Sequence, residues 1–136
     1  MAANVAPVFP KAPVIGIASL VSPTAVTSRA NITGTTGLTL LLTDSVEGTR
    51  VDKITVHYKD ATAASTAASV WVWLYDSTTS FLLTEIPVTV VTGSNTATSF
   101  DTSVSFTDLV LPAGMKLYVS TTVDQDFNVF AFGGVY

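Results

Sequence analysis

Residues 69–77, SVWVWLYDS, have the period of a β-strand but are apolar on both faces. Successive side chains leave a pleated strand on opposite sides, so Val70, Val72 and Leu74 share one face and Trp71, Trp73 and Tyr75 the other. A core explains one of these faces; the aromatic one needs a second cover. Downstream, DSTT (76–79) turns the chain into FLLTEIPVTVV (81–91), where Pro87 requires a sheet edge or a bulge. TGSN (92–95) is the next turn, and ATSFDTSVSF (97–106) alternates through Phe100, Thr102, Val104 and Phe106. LVLPAG (109–114) supplies Pro and Gly turn chemistry before MKLYVSTT (115–122), and DQD (124–126) turns into the final FNVFAFGGVY (127–136). Upstream, TAVTSRANIT (24–33), LTLLLT (38–43) and RVDKITVHYK (50–59) read as strands, the last marked by Val51, Ile54, Val56 and Tyr58. About eight short strands at regular spacing, with no helical period, predict an all-β chain folded as a single antiparallel β-sandwich. The count fits a jelly roll, while a barrel or another Greek-key order stays open.

Composition limits what such a sandwich can do. The chain has 136 residues, enough for one domain, and its 6 basic and 10 acidic residues make up 12% of it, about half the usual share. Ser and Thr must therefore supply most of the polar surface. A mean hydropathy of +0.50 would suit a membrane protein. No run approaches the ~20 apolar residues of a spanning helix, however, and the excess is spread over strands. A net charge of −4, with Lys11, Arg29, Arg50, Lys53, Lys59 and Lys116 scattered, argues against nucleic acid as a partner. The absence of cysteine excludes disulfides and thiolate zinc sites.

The first 24 residues differ from the rest. Pro7, Pro10, Pro13 and Pro23 each remove a backbone donor, so MAANVAPVFPKAPVIGIASLVSP reads as an extended arm, with the sandwich occupying residues 25–136. VIGIASLV (14–21) lacks the charged start of a secretory leader. An arm exposing Val5, Val8, Phe9, Val14 and Ile15 is better suited to another protein's surface than to solvent.

Few residues suggest chemistry. His57, the single histidine, sits on the polar side of its strand without a recognisable nucleophile motif, and Glu85 and Asp101 are a carboxylate pair of the kind any chain with ten acids offers. Asp124, Asp126 and Asn128 have the alternate spacing that opens a calcium loop. Val129 stands where that loop turns on Gly, and the closing Glu is missing, so DQDFN reads as a hairpin turn. The expectation is therefore no enzyme, no metal and no cofactor. Trp71, Trp73 and Tyr75 lie on one strand face with only Asp76 near in sequence, an arrangement closer to a packed subunit interface than to a polar-rimmed sugar site. The competing possibility is that the chain's own N-terminal arm or a curved sheet covers this face.

The segments RVDKITVHYKDATAAS (50–65), VWVWLYDS (70–77), FLLTEIPVT (81–89), LVLPAGMKLYVST (109–121) and FNVFAFGG (127–134) resemble a group of small tailed-bacteriophage virion proteins. The resemblance covers roughly residues 25–136. It is nearest to the trimeric β-sandwich decoration, or cement, proteins of phage capsids. It implies a structural virion protein on the capsid surface, a homotrimer whose second partner is the major capsid protein and which stabilises the shell. On that basis Trp71, Trp73 and Tyr75 are expected to bury against a neighbouring subunit, and Val8, Phe9, Val14 and Ile15 of the arm to contact the shell. The alternative is a tail-fibre or receptor-binding module that binds host glycans through exposed aromatics. In the C-terminal strand Asn128, Phe130 and Phe132 share one face and Val129, Ala131 and Gly133 the other, and Phe130 and Phe132 are expected in the core.

Overall fold

The computed structural model describes residues 10–59 and 64–136. Among them nine strands form: β1 (Ala12–Leu20), β2 (Ile32–Thr33), β3 (Thr39–Leu42), β4 (Thr49–Tyr58), β5 (Ala68–Tyr75), β6 (Thr79–Val88), β7 (Asp101–Leu111), β8 (Lys116–Thr121) and β9 (Phe127–Val135). They make two antiparallel sheets, ordered β1-β9-β4-β7 and β2-β6-β5-β8-β3. Leaving aside the two-residue β2, β1 pairs with β9, β3 with β8, β4 with β7 and β5 with β6. These nested pairs are those of one long hairpin rolled into two layers, the eight-stranded jelly roll.

Alternation decides what lies between the layers. Val51, Ile54 and Val56 from β4, Val70 and Val72 from β5, Leu117 and Val119 from β8, and Phe127, Val129 and Ala131 from β9 form one buried cluster. Each fully buried aliphatic side chain contributes about 1.5–3 kcal/mol of transfer free energy. Tyr58 closes one end edge-on to Phe127, with ring centroids 5.6 Å apart. Pro87 sits on β6 opposite Ser69, beyond the reach of β2, which pairs only with Ser80 and Thr79. Its missing N–H therefore falls on a free edge, while the bulge in this pair lies between Val72 and Trp73.

The proposed boundary at residue 24 is not where the sandwich starts. Residues 12–20 are a strand, registered along the whole of β9 from Ala12 opposite Val135 to Leu20 opposite Phe127. Pro13 is tolerated because β1 is an edge strand. Val14, Gly16, Ala18 and Leu20 point inward and Ile15, Ile17 and Ser19 outward. A Cβ on Gly16 would stand 2.2 Å from the carbonyl oxygen of Leu41, so glycine is what lets β1 lie against β3 and close this end of the sandwich. Conversely, TAVTSRANIT is a strand for two residues only. Most of segment 21–38 forms a strap over the outer face of the five-stranded sheet. Val26 N–H donates to Thr121 O on β8, Arg29 reaches β5, and Ile32 pairs with Ser80 on β6. The return leg is fixed by Gly34 N–H on Thr78 O and by Ser80 Oγ on Gly34 O.

Candidate interaction surface

The strap answers the question posed by the two-sided strand. Trp71 and Trp73 are 2% and 0% exposed within a single chain, so the expected subunit interface at these residues is corrected. They belong to a second, smaller buried layer between β5 and the strap. Trp73 Nε1 donates to Ser120 Oγ at 2.9 Å, and the two indoles lie 6.1 Å apart. The Arg29 guanidinium sits 5.0 Å from the Trp71 ring centroid and is held there by Glu85 at 2.7 Å. Tyr75, the third of the set, is half-buried and meets Tyr118 edge-on at 5.5 Å. Residues 24–33, expected as a strand, contribute to this cover instead, with Arg29 set over Trp71.

The surface left open lies on the other layer. β9 turns Phe127, Val129 and Ala131 into the core and Phe130 and Phe132 outward, the reverse of the expected assignment. The reason is register. β9 lies between β1 and β4, whose inward residues Ala18 and Val56 both stand opposite Val129, so the small-residue side of β9 is the one that fits between the layers. On the outer face Ile15 stands opposite Phe132 and Ile17 opposite Phe130. The two isoleucines are 59% and 62% exposed, and Phe130 and Phe132 stack at 6.3 Å with an interplanar angle of 27°. Lys53, opposite Phe132 on β4, places Nζ 5.1 Å from its ring centroid. Farther along the same face the residues become polar: the Thr55 and Ser103 hydroxyls bond at 2.9 Å, and His57 stands opposite Asp101. The face is thus an apolar aromatic patch at the β1–β9 edge, running into a hydroxyl-rich field toward β7.

Of the four residues expected to touch a shell, Val8 and Phe9 lie outside the described residues. Val14 is half-buried and packs against the core, away from the patch, whereas Ile15 is exposed on the outer face. Glu85 and Asp101 are not brought together, for they sit on different sheets. His57 Nδ1 is 4.0 Å from Asp101 Oδ2, both exposed, beside an open hollow of about 280 Å³ formed with residues 93–95 and 97–99. Ser99 Oγ there donates to Tyr58 O and Ser94 Oγ accepts from the backbone of Thr96 and Ala97, so neither hydroxyl is aimed at His57. In the DQDFN turn Asp126 accepts from Ser22 N–H at the start of the strap, and Gln125 is bonded to the backbone of Thr66. Among the described residues no three acidic or histidine side chains gather as metal ligands.

No family model, curated protein or solved structure matches the chain.

Proposed function

We propose that this protein decorates the capsid of a tailed bacteriophage, binding the outer surface of the head as a homotrimer and reinforcing the shell. The observation that carries the reading is the patch of Ile15, Ile17, Phe130 and Phe132 on a jelly roll whose other outer face has Trp71 and Trp73 buried within the chain. Exposed β-branched side chains clustered with half-buried aromatic rings on one side of a regular sheet suit a surface made for a macromolecule. The resemblance of residues 109–121 and 127–134 to cement proteins supplies the partner. Function then follows from mass action: a ligand that binds the expanded shell and not its unfolded or precursor form stabilises it by its binding free energy, summed over many copies.

The glycan-binding alternative loses its best aromatic platforms, since Trp71 and Trp73 are covered. Cosedimentation with expanded and with precursor shells of a tailed phage, followed by shell melting, tests the proposal. Binding confined to expanded shells, with a raised melting temperature, is expected. Absence of binding to either would overturn it, and a monomeric mass by light scattering would remove the homotrimer.

A further inference from the structure

Charge singles out the same face as hydropathy does. The chain has six basic side chains against ten acidic ones. Four of the six sit beside a carboxylate: Lys11 on Glu47, Arg29 on Glu85, Arg50 on Asp52 and Lys116 on Asp44. Among the described residues Lys53 and Lys59 have no such partner, although acids are in excess, and both present their ammonium to the outer face of the four-stranded sheet. Lys53 Nζ lies 5.1 Å from the Phe132 ring centroid, in the row where Ile15 stands opposite Phe132. Lys59 Nζ bonds Ser19 Oγ at 2.9 Å, in the row where Ser19 stands opposite Asn128. Ile17 and Phe130 occupy the outward row between them. On these three rows the one acid is Asp101, beside His57 at the far edge of the sheet on β7. The apolar patch is thus bracketed along its strands by two ammonium groups without a carboxylate, their rows about 13 Å apart.

This arrangement constrains what can settle on the patch. An occupant that covers Ile15 and Phe132 also covers the Lys53 ammonium, and a purely apolar one would strip its water without replacing it. A carboxylate placed there supplies both the counter-charge and the hydrogen-bond acceptor. Anionic lipid fits less well, because membrane-docking clusters carry ~4–8 lysines or arginines and this face offers two free ones on a chain of net negative charge. We propose that the occupant is a protein surface both acidic and apolar, with one carboxylate for Lys53, a second about 13 Å away for Lys59, and aliphatic or aromatic side chains between them to meet Ile17 and Phe130. This names the chemistry of the shell site and rests on the shell reading; the outer surface of the capsid protein is then expected to carry the acidic pair.

Cosedimentation with expanded shells of a tailed phage, in about 0.05 M and about 0.5 M NaCl, separates the two readings. Wild type should bind in low salt and lose affinity in high salt. Lys53→Gln/Lys59→Gln should bind roughly tenfold more weakly in low salt, with little further loss in high salt, and Lys53→Glu/Lys59→Glu should not bind. Both lysines are exposed, so urea midpoints near wild type should exclude unfolding as the cause. A carbodiimide, which joins an amine to a carboxylate in contact, should link Lys53 or Lys59 of bound wild-type protein to an Asp or Glu of the shell. Wild-type affinity in the glutamine variant at both salts would overturn the acidic partner and leave the shell reading standing. No binding by wild type at either salt would overturn the shell reading, and this inference with it. Carbodiimide links confined to a second copy of the chain, or wild-type binding to phosphatidylglycerol vesicles that the glutamine variant loses, would reassign the occupant and overturn the proposal.

Discussion

Trp73 Nε1 donates to Ser120 Oγ at 2.9 Å with both groups buried, whereas Trp71 Nε1, on the same strand face, is buried with no hydrogen-bond partner among the described residues. Two neighbouring indoles thus differ in one respect that mutation can read. Trp73→Phe removes a satisfied donor and strands the Ser120 hydroxyl, at a cost of about 1–3 kcal/mol beyond the packing loss. Trp71→Phe removes an unsatisfied donor, so its packing loss is offset by the desolvation it relieves. Urea unfolding should therefore rank Trp73→Phe as clearly the less stable variant. Equal midpoints would mean that the indole hydrogen bond carries no net weight.

Gln125 ties the β8–β9 turn to the segment before β5 by a different device. Its side-chain amide accepts from Thr66 N–H at 2.7 Å and donates to Thr66 O at 3.1 Å, as a neighbouring strand would. Gln125→Ala should cost about 1 kcal/mol, the net value of such hydrogen bonds where the freed backbone can reach water. Gln125→Glu keeps the acceptor but sets a carboxylate against the Thr66 carbonyl, so it should be no better than alanine. A glutamate variant as stable as wild type in urea unfolding would show that only the bond to Thr66 N–H matters.

Much of this architecture was legible in the sequence. The alternation in 51–58 and the two-sided run 70–75 specify buried strands on their own, because period-2 patterning reports which face meets the core. What was not legible depended on long-range register. The identity of the inward face of FNVFAFGG is set by β1 and β4 on either side, and the expectation that put Phe130 and Phe132 inward chose the wrong face. The strap was hidden because its contact with Trp71 comes from Arg29, some forty positions away. Pro13 disguised β1 as an arm, since proline argues against a strand everywhere except at an edge.

Gly16 should be the least replaceable position of β1. An added methyl would meet the Leu41 carbonyl at 2.2 Å, and backbone on both sides cannot yield as a flexible side chain could. Gly16→Ala should destabilise by about 1–3 kcal/mol, the usual cost of overpacking, and lower the yield of folded protein. Gly34→Ala is the contrast: its φ of 82° is strained for alanine but nothing stands within 4 Å, so the loss should be smaller. Thermal melting of the two variants should rank them in that order.

Ile15→Thr/Ile17→Thr separates folding from attachment. Both side chains point into solvent, and threonine keeps the β-branched shape the strand favours, so stability should change by no more than about 0.5 kcal/mol per site. Cosedimentation with expanded shells should nevertheless fall sharply, because the patch loses its aliphatic half. Undiminished binding would exclude this face as the shell contact.

Asp76 gives the fold an acid-sensitive turn. Its Oδ1 accepts from the backbone of Thr79 at 2.8 Å and Thr78 at 2.9 Å, and these bonds hold the carboxyl below its ordinary range. They tie off the β5–β6 turn, where Ser77 adopts a φ of 80°. Because the folded-state pKa is depressed, the contribution is complete above the unfolded value near 3.9 and is lost as pH falls through the folded pKa. Asp76→Ala should therefore melt below wild type at pH 7, and the gap should close at a pH under the folded pKa, where both chains carry no charge at this position. A gap of constant size across that range would assign the effect to turn geometry and not to the carboxylate charge.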